Sequence, residues 1–143
     1  MNKELKILVL QGLPGSGKTT FAKALVESSS EIIRLNRDDL RKMLGVEWNS
    51  KLEGTIFEME MEMAKIALEM NYSVIIDDTN LNTFTLTRWK YLAEEMNVRY
   101  ETKFFDVTLE ECIRRDSLRP NPIGAEAITT FAIKYGNITK LKI

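Results

Sequence analysis

The feature that most constrains this chain is an eight-residue segment, Gly12-Leu13-Pro14-Gly15-Ser16-Gly17-Lys18-Thr19, which fits the spacing Gly-x4-Gly-Lys-(Ser/Thr). It follows a continuous apolar run, residues 5–11, whose pattern predicts a strand buried on both faces. Residues 19–26 behind it carry helical periodicity. Strand, glycine-rich turn and helix in that order make a phosphate-binding loop, because backbone N–H groups free of side-chain bulk can wrap a phosphate at a helix N-terminus. Lys18 is then expected to reach the β and γ phosphates, and the Thr19 hydroxyl to take Mg²⁺. Gly12, Pro14, Gly15, Ser16, Gly17 and Thr20 complete the expected cradle. The predicted ligand is a nucleoside triphosphate.

Composition narrows the chemistry around that loop. At 143 residues and 44% hydrophobic, the chain is expected to form a single domain, residues 1–143, with a core that needs no metal or disulfide. The formal charge of −1 argues against a surface coated by nucleic acid or adsorbed to a membrane, so an anionic partner must be met by a local cluster. The absence of histidine removes Ser-His-Asp and Cys-His catalysis and every zinc site that needs imidazole. Cys112, the single cysteine, has no partner for an intrachain disulfide and reads as a small side chain in a reducing compartment. Lys3 and Lys6 ahead of residues 7–10 mimic the start of a signal peptide, but the apolar run is too short. No stretch approaches the roughly 20 apolar residues of a membrane span, so no membrane association and a cytoplasmic location are expected.

Along the chain, residues 31–35 form a second short strand pattern, and Asn36 can cap a helix that begins Arg37-Asp38-Asp39-Leu40-Arg41. Residues 52–70 are rich in Glu, Met, Ala and Leu and predict a long helix. Leu52, Ile56, Met59, Met63, Ile66, Ala67 and Met70 fall on one face of it and are expected to line the core. Residues 72–76 and 98–107 are further strands, with a helix carrying Phe84, Trp89, Leu92 and Met96 between them. Thr108 and Glu111 read as a capping box for a helix ending near Pro120 and Pro122. A last helix over 125–135 is expected to bury Ile128, Phe131 and Tyr135 and to end at Gly136, with a fifth strand at 138–143. Alternating strands and helices predict an α/β fold with a four- or five-stranded, mostly parallel sheet flanked by helices on both faces.

Three clusters carry chemistry besides the loop. Asp38 and Arg41 share a helix face, so a carboxylate that accepts a hydroxyl proton and a guanidinium that grips a neighbouring phosphate can address one acceptor. A helix start that takes acids for its dipole suits the same spacing, and the residues alone leave both readings open. Asp77 and Asp78 close the third strand at the carboxyl edge where such sheets place ligands, and one of them is expected to hold magnesium through water. Thr79 and Asn80 suit either a substrate contact or an Asx-type turn. Arg114, Arg115 and Arg119 gather at a helix end; such a run is usually a solvated face, but Arg119 on a mobile segment suits the transferring phosphate.

Taken together, GLPGSGKTTFA at residues 12–22, LNRDDLR at 35–41, IIDDTNLN at 75–82, FFDV at 104–107 and RRDSLRP at 114–120 resemble the kinase domain of the phage-type 5′-polynucleotide kinases, over nearly the whole chain and in the same order. The resemblance implies a P-loop kinase fold and transfer of the γ-phosphate of ATP to the 5′-hydroxyl of a DNA or RNA end. It implies that Lys18 and Thr19 bind the triphosphate and magnesium, that Asp38 is the general base, and that Arg41 holds the transferring phosphate or the acceptor's adjoining one. Asp78, Thr79 and Asn80 fall on the family's DTN element as substrate contacts, and Arg119 on its lid arginine, with Arg115 beside it toward the nucleotide. Asp77 is an added acid before that element. The chain also stops where the bifunctional phage enzymes continue into a phosphatase, so an isolated kinase is implied, with room for a homo-oligomer and for a separate repair partner such as a ligase or phosphatase. Two rivals share parts of this logic: a kinase of nucleosides or sugars, and a P-loop module that hydrolyses or senses the nucleotide. Guanine selectivity is disfavoured because no NKxD is present.

Overall fold

The computed structural model describes residues 4–135. Four strands, β1 (Lys6–Gln11), β2 (Ile32–Leu35), β3 (Ser73–Asp77) and β4 (Arg99–Phe104), pair in the order β2-β3-β1-β4, and every pairing is parallel. The helices are α1 (Lys18–Ser28), α2 (Arg37–Leu44), α3 (Glu53–Glu69), α4 (Thr83–Met96), α5 (Leu109–Ser117) and α6 (Ala125–Lys134). Because β1 and β3 are central, their side chains are buried on both sides, which explains their unbroken apolar runs. Ile7 and Val9 face α3 and α4 in a cluster with Phe57, Leu68, Val74, Ile76 and Trp89, whereas Leu8 and Leu10 face α1 with Ala22 and Ile75. A third cluster under α5 and α6 contains Leu13, Leu81, Cys112 and Ile128. The expected flanked, parallel sheet is therefore present; the strand expected at 138–143 and the helix end at Gly136 lie outside the described residues.

Local signals did much of this work. The Asn36 side chain accepts the Asp39 N–H at 2.8 Å, and Gly45 closes α2 in a left-handed conformation. Thr108 caps α5 through the Glu111 N–H at 3.1 Å, but the capping box is half formed, because the Glu111 carboxylate turns to Arg114 and Arg115.

The long helix is present, but its expected core face is met only in part, at Ile56 and Ala67. Met59, Met63, Ile66 and Met70 are exposed, and α3 packs on the sheet through Ile56, Phe57, Glu60, Met61, Ala64, Ala67 and Leu68. Two apolar stripes overlap on this helix. The buried one offers small residues at positions 64 and 67, which let the helix approach the sheet closely, and the Phe57 ring, which meets Trp89 edge-on at 5.7 Å. No described helix is long and apolar enough to cross a membrane.

Candidate active site

All four strands run in one direction, so the loops after β1, β2 and β3 meet at one edge of the sheet. They surround an open cleft of about 1530 Å³ whose walls include Lys18, Thr19, Asp38, Arg41, Asp77, Asp78, Arg115 and Arg119. The first wall is the glycine-rich loop. Gly15 and Gly17 have φ of +85° and +100°, and a Cβ on Gly15 would lie 2.5 Å from the Cys112 carbonyl oxygen, so glycine is required both for conformation and for the approach of α5. Lys18 is buried and donates from Nζ to the carbonyls of Gly12 and Leu13 at 2.9 and 2.8 Å. Burial lowers its pKa to about 8, against the opposing pull of Asp77, Cys112 and Asp78.

The end of β3 separates two adjacent acids by direction. Asp77 Oδ2 accepts from Thr19 Oγ1 at 2.8 Å and from Arg34 Nε at 2.7 Å, while its Oδ1 is buried without a hydrogen-bond partner. Asp78 turns the other way: its Oδ1 accepts the Arg37 N–H at 2.9 Å at the start of α2. The alternation of a strand places neighbouring side chains on opposite faces, and the two acids obey it. Asp77 thus belongs with the phosphate loop and Asp78 with α2. Thr79 accepts the Gly12 N–H through its backbone carbonyl at 3.0 Å. Asn80, held at φ +47°, spends its amide N–H groups on the carbonyls of Leu10, Ile76 and Asp78, so its NH₂ ties β1 to β3 instead of facing the cleft.

On α2, Asp38 and Arg41 are brought together as the spacing predicted: they form an ion pair one turn apart, and Arg41 also gives Nη1 to both carboxylate oxygens of Glu53 at 2.7 and 2.8 Å. The Asp38 side chain is 67% exposed toward the cleft. Arg37, by contrast, is spent inside the fold, contacting Glu60 at 3.0 Å and Asp78 at 3.3 Å with its guanidinium over the Phe57 ring.

Glu60 is the functional-looking residue that sequence reasoning missed. It is 1% exposed, and burial first, then Asp78, hold its carboxyl well above the usual range despite the opposing Arg37. Glu60 Oε2 and Asp78 Oδ2 are both buried without a hydrogen-bond partner, and Arg37 Nη1, which donates to Glu60 Oε1, lies 3.3 Å from Asp78 Oδ2. In a helix with glutamates at 53, 58, 60, 62 and 69, nothing in composition marks the buried one; only its place on the Ile56–Phe57–Ala64 stripe could have done so.

The arginines divide as well. Arg115 Nη1 lies 3.4 Å from the Ser16 carbonyl, over the phosphate loop. Arg119 reaches the cleft from the turn after α5, where Asp116 accepts from Ile123 N, Gly124 N and Arg119 Nη1 at 3.0, 2.8 and 3.4 Å and so fixes that turn. Arg114 is turned to Glu111 on the solvent side.

This arrangement can be compared with known proteins. A family model described as an AAA domain, AAA_33, matches residues 7–133. The chain belongs to that family. A protein of Autographa californica nuclear polyhedrosis virus described as a bifunctional polynucleotide kinase/RNA ligase is 34% identical over 140 residues, covering 86% of this chain and 20% of the viral protein. The L-seryl-tRNA(Sec) kinase of Methanococcus maripaludis is 31% identical over 133 residues, 90% of this chain and 52% of that enzyme. Among solved structures, a chain of the Pnkp1/Rnl/Hen1 RNA repair complex superimposes with a TM-score of 0.82 at 30% identity, covering all of this chain and 47% of that one. The chain thus spans about half or less of these relatives. With them, the resemblance to polynucleotide-kinase domains read from the motifs is borne out, and this member of the family is a P-loop phosphotransferase domain.

Proposed function

We propose that the chain transfers the γ-phosphate of ATP to the 5′-hydroxyl of a nucleic-acid end. The observation that carries this reading is that Asp38 and Arg41, paired one turn apart, line the same cleft as Lys18 and Thr19. Lys18, with a pKa near 8, remains charged at neutral pH and would neutralise the β and γ oxygens. The donor set fits a magnesium ion: Thr19 Oγ1 sits 2.8 Å from Asp77, whose second oxygen is buried and unpartnered. Thr19 would bind the ion directly and Asp77 through water; when bound, magnesium shields the phosphate charge.

Asp38 takes the proton of the attacking hydroxyl, that oxygen bonds to the γ-phosphorus, and ADP leaves with the bridging oxygen. Arg115 and Arg119 line the same cleft and would stabilise the charge that spreads over the phosphates. Since Arg41 is paired with Asp38, an acceptor phosphate that engages Arg41 releases the Asp38 carboxylate at the moment a hydroxyl arrives. Asp78 anchors the start of the helix that carries both residues. The viral relative, whose name joins a polynucleotide kinase to an RNA ligase, and the similar chain of an RNA repair complex support a sealing partner for this chain.

A second reading, a small-molecule kinase, is favoured by one feature: Glu53 already satisfies Arg41, so an acceptor without a phosphate leaves no buried charge unpaired. γ-Labelled ATP offered with 5′-hydroxyl oligonucleotides, 3′-phosphorylated mononucleosides and free nucleosides separates the two. The polynucleotide reading expects label on the first two and far less on the third. Equal labelling of free nucleosides and oligonucleotides gives the site to small molecules.

A further inference from the structure

Trp48 is 65% exposed, whereas the chain's other tryptophan, Trp89, is fully buried. An indole this open to water is unusual, because tryptophan is highly buried on average. It stands on the wall of the active-site cleft shared with Asp38, Arg41 and Glu53. Its loop is built. Val46 N–H returns to the Arg41 carbonyl at 3.0 Å beside the left-handed Gly45. Asn49 then ties the far side, taking the Lys51 N–H on its side chain at 2.8 Å and the Leu52 and Glu53 N–H groups on its carbonyl at 2.9 and 3.1 Å. Trp48 is thus carried between the residue that would hold the acceptor's phosphate and the helix whose Glu53 now holds that residue. Gly54, in the first turn of α3, lines the same cleft and has nothing within 4 Å of where a Cβ would stand.

Ionic grip is scarce on this side. Arg37 is committed to Glu60 and Asp78, Arg41 carries two carboxylates, and the loop adds Glu47 as well as Lys51. An aromatic face adds a further means of holding a nucleic-acid end, and it suits bases of any sequence, since every base offers a π-face.

We propose that Trp48 is a stacking platform for an acceptor nucleobase flanking the phosphate at Arg41, and so a determinant of preference for nucleotide chains over small hydroxyl acceptors. This rests on the polynucleotide reading above. It places the donor nucleotide on the Arg115 and Arg119 side and assigns Trp48 no part in holding ATP.

The test compares wild type, Trp48→Ala and Trp48→Phe. With a 5′-hydroxyl hexanucleotide, Trp48→Ala is expected to raise the acceptor KM roughly 5- to 150-fold, the range of one lost base stack. Its kcat and its KM for ATP should stay near wild type, and Trp48→Phe should recover much of the loss. Removing the base from nucleotide 1 or nucleotide 2 of the acceptor should weaken wild type at one of those positions and leave Trp48→Ala indifferent there. Oligonucleotide without ATP should quench the exposed tryptophan fluorescence, and ATP alone should not. Urea midpoints check that the fold is intact, which is expected for so exposed a side chain. An unchanged acceptor KM in Trp48→Ala, a rise in ATP KM instead, or base removal that costs wild type and variant equally overturns the proposal. Wild type failing on oligonucleotides while phosphorylating free nucleosides overturns the reading beneath it.

Discussion

Lys18 links catalysis to a measurable cost in folding. The residue is 7% exposed and its pKa falls to about 8 from 10.5, chiefly through burial. Because the folded pKa is the lower one, the unfolded chain binds more protons between pH 8 and 10.5, and stability rises with pH across that window. At neutral pH the penalty is about 3 kcal/mol, from 1.36 kcal/mol per pKa unit. Integrating the same two pKa values from pH 7 to pH 9.5 returns about 2 kcal/mol, which is about 1 M in a urea midpoint for a domain of this size.

The assay is urea unfolding of wild type and Lys18→Met at intervals over that range. Cys112 and Tyr100, whose pKa values burial raises, push stability the opposite way at the alkaline end, so the quantity to read is wild type minus variant. That difference should climb by about 2 kcal/mol, and Lys18→Met should be devoid of phosphoryl transfer while folded. Added magnesium nucleotide, by restoring an anionic partner to the lysine, should flatten the wild-type slope. Parallel stability curves for the two proteins would refute the argument that Lys18 is held charged against its surroundings.

Asp38→Asn should lower the rate on the order of 10² to 10⁴-fold while calorimetry shows unchanged ATP affinity, because Asp38 serves the acceptor; lost ATP binding would return Asp38 to a structural role. Because burial favours the neutral form of Glu60, Glu60→Gln should unfold within about 1 kcal/mol of wild type, whereas Glu60→Ala, which removes a partner of Arg37 and leaves a cavity at a 1% exposed position, should cost about 2 to 4 kcal/mol. A glutamine as damaging as the alanine would show that Glu60 acts as a carboxylate.

The parts of this domain that could be read from sequence are those fixed by local chemistry. The apolar run before Gly12, the Asn36 cap and the Asp38–Arg41 spacing need only neighbours in the chain to take their form, and each is found where its pattern put it. What stayed hidden depends on distant segments. Met59 and Met63 look like core until the sheet selects the neighbouring stripe with Phe57 and Ala64. Nothing in the helix start around Arg37 tells that Glu60, 23 residues on, captures its guanidinium. Asn80 gives no sign in sequence that carbonyls at the ends of β1 and β3 claim its NH₂, while its Oδ1 stays without a partner. Asp77 and Asp78 are indistinguishable as letters and take opposite duties only when the strand turns one toward Thr19 and the other toward α2.

The close seat of Gly15 against the Cys112 carbonyl governs which parts of the machine can travel. With no Cβ between them, the phosphate loop and α5 are in backbone contact, and Arg115 bridges the same seam to Ser16. α5 is therefore part of the fixed frame, and the turn that bears Arg119 begins past Ser117, outside that backbone contact. That turn is latched at one point, Asp116, whose carboxylate grips the Ile123 and Gly124 amides at its far end. Closing over a substrate would thus be a local bend of a few residues, with the cradle beneath it already set before any ligand arrives.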